Sequence, residues 1–100
     1  MYKLNDYNVR LVRDKYLHTN GLAVVAYTDT GVCYTVITKC IPDFSLEDND
    51  DVAFIDTNNN PGIEIFLVKN EIAIPLHFGL DCGMCSYPLY KFDLTKLECE

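Results

Sequence analysis

The fold of this chain is decided by residues 52–61, which read VAFIDTNNNP. The first four residues are a short apolar run with β-branched and aromatic members, which is typical of a strand covered on at least one face. Asn58, Asn59 and Asn60 then lead into Pro61. Asparagine is a preferred helix N-cap, and proline suits the first helical position. The stretch therefore predicts a strand over residues 52–55 and a helix over residues 61–69, capped by one of the three asparagines.

Two further strands are predicted before this stretch. The segment Leu22–Thr28 is rich in Val and Ala, and residues 32–40 alternate between two sets of side chains. The short turn over residues 29–31 ends in glycine, so the two segments should form an antiparallel hairpin. We expect residues 52–55 to be the third strand of the hairpin's sheet.

The remaining segments complete an α+β prediction. Residues 1–20 favour a strand before a turn at Asn20-Gly21. Pro75 makes residues 71–78 an edge segment, because proline has no N–H to donate to a central ladder. Residues 79–83 are predicted as a loop, residues 87–94 as the last strand and residues 95–100 as a loose tail. The sequence thus predicts one domain over residues 1–100, an antiparallel sheet of four to five strands with one helix packed on it.

Two sequence blocks carry a resemblance to a known family. AFIDTNN at residues 53–59 and YPLY at residues 87–90 resemble an uncharacterised family of small proteins on conjugative and other mobile elements, mainly of Firmicutes. The resemblance covers roughly residues 21–94. It implies a cytoplasmic, mobile-element setting and no assigned activity, cofactor or catalytic residue. Residues 72–85 are more apolar and richer in cysteine than expected for the family, so no family property is transferred to them.

Composition and charge restrict the function classes. The chain has 100 residues, 49% of them hydrophobic, and a formal net charge of −7. A strongly negative small domain is repelled by nucleic acid and membrane surfaces and favours basic partners. The first residues show no apolar stretch of a secretory signal, and five cysteines without such a signal indicate reduced thiols in a cytoplasm.

Candidate catalytic and metal-binding residues form no complete site. Cys82-Gly83-Met84-Cys85 supplies two of the four ligands that tetrahedral zinc needs, and no second pair with this spacing exists. His18 and His77 have no nucleophile on a glycine-rich elbow beside them in the sequence. The acidic run at residues 48–51 lacks the central glycine and final glutamate of a calcium loop. We therefore expect no enzyme, no metal and no cofactor, although a small zinc-binding module stays open as a less favoured alternative.

The acidic segment is the predicted partner-binding site. Residues 41–60 contain no basic residue, and Phe44 and Leu46 are expected to anchor the acidic loop between two strands. Four negative charges in five residues, from 47 to 51, approach the charge density of a nucleic-acid backbone. The plainer interpretation is a solvated loop that keeps the domain soluble. The predicted partner-binding residues are Asp43, Glu47, Asp48, Asp50, Asp51 and Asp56.

These observations predict a non-catalytic acidic binding protein of a mobile element. It would inhibit or modulate a basic, nucleic-acid-handling protein, such as a restriction or CRISPR-type effector, by nucleic-acid mimicry. The alternative is an accessory protein of conjugation or element maintenance that acts through protein–protein contacts. The apolar helix over residues 61–69, with Ile65 and Val68 on its outer face, is the second candidate interface. We expect no direct contact with nucleic acid or a membrane, and the oligomeric state stays open.

Overall fold

The computed structural model of the chain describes residues 2–16, 22–39 and 51–99. Nine strands, one α-helix and one 3-10 helix lie in these ranges, and the strands form two sheets. The elements are β1 (Tyr2–Leu4), β2 (Tyr7–Lys15), β3 (Leu22–Thr28), β4 (Cys33–Val36), β5 (Thr38–Lys39), β6 (Val52–Ile55), α1 (Ile63–Lys69), β7 (Ala73–Cys82), β8 (Cys85–Phe92), the 3-10 helix (Leu94–Lys96) and β9 (Glu98–Cys99).

The first sheet has the order β1-β2-β3-β4, with antiparallel neighbours, and β9 pairs in parallel with β2. A tight turn joins β1 to β2, and both of its residues, Asn5 and Asp6, have positive φ angles of 49° and 71°. Such angles suit Asn and Asp better than most side chains. The predicted strand in residues 1–20 and the predicted β3–β4 hairpin are both confirmed within the described residues.

One residue marks the passage from the first sheet to the second. Ile37 is completely buried and lies between β4 and β5. Its N–H donates to the carbonyl oxygen of Val24 at 2.9 Å, and its own carbonyl oxygen accepts from the N–H of Asp56 at 2.8 Å. The predicted strand over residues 32–40 is therefore two strands in two sheets. The prediction that residues 52–55 join the hairpin's sheet is wrong, because β6 pairs with β5 and β8 instead.

The second sheet has the order β5-β6-β8-β7, so β7 is an edge strand, as Pro75 predicts. All four residues of β6 are buried, in accord with its apolar sequence. The predicted loop over residues 79–83 is instead the end of β7, which turns tightly into β8 through Gly83, with φ of 65°, and Met84. The predicted last strand is confirmed and lies two residues earlier than expected.

A bulge interrupts the pairing of β7 with β8. The register matches Pro75 with Tyr90 and then Gly79 with Pro88, so four steps along β7 correspond to two along β8. His77, inside this bulge, has a φ of 58°. Two extra residues therefore bow out of the edge strand, which opens a space between β7 and β8.

The helix α1 packs on the core through one face only. Ile63, Phe66 and Leu67 are buried, whereas Ile65 and Val68 are 74% and 49% exposed. The buried face joins a core to which strands of both sheets contribute. The predicted α+β class, with antiparallel strands and one packed helix, is confirmed for the described residues, although they form two sheets, of five and four strands, where one was predicted.

The predicted asparagine cap is wrong. The N-cap of α1 is Gly62, with φ of 81°, and no side chain caps the helix. Asn59 and Asn60 instead donate to Asp56, Asn59 to its carboxylate and Asn60 to its carbonyl oxygen. The asparagines build the turns between β6 and the helix, and α1 begins at Ile63.

The predicted loose tail is also wrong for residues 95–99. Asp93 begins the 3-10 helix, and its side chain accepts a hydrogen bond from the N–H of Thr95 at 3.0 Å. Leu97 is buried in the core, and β9 then pairs with β2. Burial of Leu97 thus packs residues 95–99 onto the domain, although their polar composition predicts a loose tail. The predicted turn at Asn20-Gly21 and the anchors Phe44 and Leu46 lie outside the described residues.

Candidate functional site

The acidic segment reaches the second sheet at the start of β6. Asp43, Glu47, Asp48 and Asp50 lie outside the described residues, and Asp51 is the first residue after them. The carbonyl oxygen of Asp51 accepts a hydrogen bond from the N–H of Phe92 at 2.6 Å. Its carboxylate lies 3.8 Å from the ammonium group of Lys91, with the Asp51 side chain 29% exposed. Asp51 is therefore held at one end of the second sheet.

Two further acidic residues share this end of the sheet. Asp93 follows β8, and its N–H donates to the carbonyl oxygen of Ile72 at 2.8 Å, directly beside Glu71. The three neighbouring strands β6, β8 and β7 therefore each have an acidic residue at this end: Asp51, Asp93 and Glu71. Hydrogen bonds from the hydroxyl and the N–H of Thr95 lower the pKa of Asp93, so its exposed carboxylate keeps its charge into mildly acidic solution.

We call Asp51, Glu71 and Asp93 the acidic end. Sequence reasoning missed Glu71 and Asp93, which are 20 or more positions from Asp51 in the sequence. They adjoin Asp51 only because β8 lies between β6 and β7 in the sheet. Glu71 begins one predicted strand segment and Asp93 lies near the end of another. With the correct strand order, these positions would have predicted that both residues lie beside Asp51.

The position of every Lys and Arg residue in the fold is known. All eight Lys and Arg residues lie in the described ranges, together with ten of the fifteen acidic residues. The other five acidic residues lie outside these ranges, without any Lys or Arg. Half of the basic residues, Lys3, Arg10, Arg13 and Lys15, belong to β1 and β2 of the first sheet. The first sheet and its turns also carry four described acidic residues, Asp6, Asp14, Asp29 and Glu98, so this part is close to neutral, whereas the rest of the described chain carries six acidic and four basic residues.

Asp56 is a structural residue in this fold. It is only 7% exposed. One carboxylate oxygen accepts from the N–H of Asn59 at 3.2 Å, and the other accepts from the Asn59 side chain at 2.8 Å. A buried carboxylate that folds a turn offers almost no surface to a partner, so we remove Asp56 from the candidate binding surface.

The cysteines and His77 form no recognisable centre. The register places Cys82 opposite Cys85 at the end of the β7–β8 hairpin. No group of three or more His, Cys, Asp or Glu side chains in the described ranges could hold a metal ion. The Cys99 sulfur accepts a hydrogen bond from Arg13 Nε at 3.1 Å. His18 lies outside the described residues, and His77 is exposed on the bulge.

A second feature lies between the bulge and α1. An open groove of about 480 Å³ is lined by residues of β7, β8 and the helix, among them Glu64, His77, Phe78 and Tyr90. The hydroxyl of Tyr90 donates to Glu64 Oε1 at 2.8 Å. Burial, followed by this hydrogen bond and the negative charge of Glu64, raises the pKa of Tyr90 from 10.0 to about 12. The hydroxyl therefore stays protonated and keeps the carboxylate oriented in the groove.

Comparison with known proteins identifies the family. A protein-family model described as "Domain of unknown function (DUF4313)" matches residues 11–99. No curated protein and no solved structure matches the chain. Among the described residues, no helix is long and apolar enough to cross a membrane. Because the match extends from within β2 to β9 and so over most of the chain, the chain belongs to the DUF4313 family, a domain of unknown function.

Proposed function

We propose that this protein is a non-catalytic acidic binding protein of a mobile element. It inhibits or modulates a basic, nucleic-acid-handling protein, such as a restriction or CRISPR-type effector, by occupying the groove that otherwise holds nucleic acid. The resemblance of AFIDTNN and YPLY to proteins of mobile elements supports this setting. The observation that carries the proposal is the concentration of acidic residues at one end of the second sheet.

The charge arrangement suits a mimic of a phosphate backbone. The acidic residues at 47, 48, 50 and 51 occupy five positions, which span roughly 15 Å when extended. Duplex DNA carries about one charge per 1.7 Å of its axis. Glu71 and Asp93 place further carboxylates on two neighbouring strands; among the described residues, Lys91 pairs with Asp51 and the charge of Lys96 acts on Asp93. A basic groove would meet negative charge over the width of the sheet.

The separation of charge also favours one orientation of approach. The basic side chains of β1 and β2 lie on the first sheet, away from the acidic end. The first sheet combines these four basic residues with four acidic residues and is close to neutral, so a basic partner is attracted more to the second sheet than to the first. Such steering raises the association rate and weakens as salt screens the charges over about 8 Å at physiological ionic strength.

The experiment begins with a partner captured from the native host and identified by mass spectrometry. The purified partner is then titrated with the wild type and with a loop variant that combines Glu47→Gln, Asp48→Asn, Asp50→Asn and Asp51→Asn. The control combines Asp6→Asn, Asp14→Asn, Asp29→Asn and Asp81→Asn. These four positions are exposed and lie away from the acidic end, so the control has the same net charge as the loop variant.

We expect the loop variant to lose at least tenfold in affinity at low salt, mainly through slower association, while the control loses much less. Duplex DNA or RNA should compete with the wild type for the partner. Full affinity of the loop variant at both low and high salt would contradict the proposal.

The alternative is an accessory protein of conjugation or element maintenance. The observation that favours it is the outer face of α1, where Ile65 and Val68 are 74% and 49% exposed. Apolar side chains on a helix face are typical of protein–protein contacts that do not depend on charge. Replacing both by serine should then abolish binding, and salt should have little effect on the affinity.

A further inference from the structure

We infer that the groove between the β7 bulge and α1 binds one basic side chain, arginine or lysine, that a partner protein presents on a short segment. This inference rests on the proposed function in one respect, the basic nature of the partner. It adds a second contact site, which neither the acidic segment nor the family assignment indicates.

The backbone gives the groove a defined shape. The bulge separates β7 from β8 between the pairs Pro75–Tyr90 and Gly79–Pro88. Gly79 approaches the opposite strand so closely that a Cβ atom there would lie 2.9 Å from the carbonyl oxygen of Tyr87. Close approach at Gly79 and the widened pairing before it leave an opening of about 480 Å³. This volume is in the range of ligand-binding clefts and exceeds that of one side chain.

The groove contains an oriented carboxylate that forms no ion pair with any Lys or Arg of the chain. Glu64, in the first turn of α1, is exposed and accepts a hydrogen bond from the Tyr90 hydroxyl at 2.8 Å. Tyr90 is 4% exposed, so its hydroxyl is a rigid donor. All eight Lys and Arg residues are described, and none forms an ion pair with Glu64. The carboxylate keeps further acceptor capacity for an incoming donor.

The walls suit the stem of a long basic side chain. Pro75, Phe78, Pro88 and Leu89 line the groove, with the hydroxyl residues Thr57 and Ser86 also at its surface. Arginine and lysine pack their methylene groups on apolar surfaces while the charged end reaches a polar partner. A hydrogen bond from a charged donor to a carboxylate is about twice as strong as one between neutral groups. An anionic ligand would instead meet both Glu64 and a chain with a net charge of −7.

The test uses small probes, so that it does not require the partner. N-acetylarginine amide and N-acetyllysine amide are titrated into the ¹⁵N-labelled protein, and N-acetylcitrulline amide serves as the neutral analogue of arginine. We expect the arginine and lysine probes to shift the backbone amide signals of residue 64, residues 76–79, and the non-proline residues of 86–90. Citrulline should shift them at least tenfold less at equal concentration.

Matched variants distinguish binding in the groove from non-specific attraction of cations to the negatively charged protein. Glu64→Gln should weaken binding of the arginine probe at least tenfold. Tyr90→Phe, which removes the orienting hydroxyl, should weaken it by a smaller factor of about three. Glu71→Gln removes the same charge at the acidic end and should change the affinity less than twofold. The inference is overturned if Glu64→Gln and Glu71→Gln have equal effects, or if citrulline binds as well as arginine.

The loop variant distinguishes this inference from the proposed function. We expect it to bind the arginine probe within twofold of the wild type, because the described residues that line the groove come from the turn after β6, the helix, β7 and β8. If the loop variant loses affinity for the arginine probe and Glu64→Gln does not, the groove assignment is overturned. The acidic segment would then be the site that binds basic ligands. Intact probe binding combined with full partner affinity of the loop variant would overturn only the proposed use of the acidic segment.

Discussion

The Thr35 hydroxyl donates a hydrogen bond of 2.7 Å to the side-chain oxygen of Asn60. The amide nitrogen of Asn60 donates in turn to the carbonyl oxygens of Val36 and Asp56, each at 3.0 Å. One asparagine therefore ties β4 of the first sheet to the turn that follows β6 of the second. This contact fixes the entry to the helix at the place where the sequence predicts only a cap.

We expect Asn60→Ala to lower the free energy of unfolding by about 1–3 kcal/mol, because it removes three side-chain hydrogen bonds, including those to Thr35 and Val36 of β4. Asn58→Ala is the control, since Asn58 is exposed and has no side-chain hydrogen bond among the described contacts. Its effect should stay within about 0.5 kcal/mol. Urea denaturation followed by circular dichroism measures both. Equal stability of the two variants would show that Asn60 does not connect the sheets.

The elements of this fold could be predicted from local patterns, but their arrangement could not. The apolar run of β6, the alternation over residues 32–40 and the helical spacing of Ile63, Phe66 and Leu67 each depend on neighbours in the sequence. The break at Ile37 depends on where Val24 and Asp56 lie in space. Period-two alternation identifies a strand and does not say which sheet it joins.

The candidate site was only half predictable for a related reason. Asp51 was found because acidic residues are adjacent in the sequence. Glu71 and Asp93 lie near Asp51 because of the strand order, and Asp56 is excluded from the surface because it is buried. Neither the strand order nor the burial can be read from composition. The Glu64–Tyr90 contact joins residues 26 positions apart, and no local motif indicates it.

Stability at alkaline pH should depend on Tyr90. The pKa of Tyr90 is about 12 in the folded protein, above the ordinary value of 10.0. The folded state therefore holds this proton more tightly than the unfolded state, so its contribution is complete below pH 10 and is lost as the pH rises towards 12.

Ultraviolet absorbance titration at increasing pH checks this assignment. The wild type should show a last tyrosine ionisation step near pH 12, and Tyr90→Phe should lack that step. Tyr7→Phe is the control, because Tyr7 is 53% exposed and its removal should leave the last step unchanged. A last step that persists in Tyr90→Phe would assign the raised pKa to another tyrosine.

Gly79→Ala should disturb the bulge. The added methyl group would lie 2.9 Å from the carbonyl oxygen of Tyr87 and 3.3 Å from the Cα atom of Pro88, and both are backbone atoms that cannot rotate away. We expect a loss of about 1–3 kcal/mol of stability, as for other overpacked sites. Ser86→Ala, on the facing strand and exposed, should cost less than about 0.5 kcal/mol. Thermal unfolding of the two variants measures the difference, and equal midpoints would contradict the close approach.

Leu97→Ala should destabilise the whole domain, although the residue lies in the predicted loose tail. Leu97 is 7% exposed and belongs to the core, so its truncation should cost about 2–4 kcal/mol. The neighbouring variant Glu98→Gln loses only the exposed ion pair with Arg10, which has an N–O distance of 3.2 Å, and should cost less than about 1 kcal/mol. Denaturant unfolding compares the two, and a Leu97→Ala variant as stable as Glu98→Gln would show that the tail does not pack.

The pairing of β9 with β2 has a consequence for the order of folding. Val12 and Arg13 pair with Glu98 and Cys99, which follow them by 86 residues. During synthesis at about 5–20 residues per second, β2 leaves the ribosome several seconds before its parallel partner. Contacts of such long sequence separation also form slowly, because closing the chain into a loop reduces its entropy. The nascent chain can thus pair β1, β2 and β3 early. The backbone of β2 at Val12 and Arg13 stays unpaired on one side until β9 is synthesised, and a chaperone could bind there.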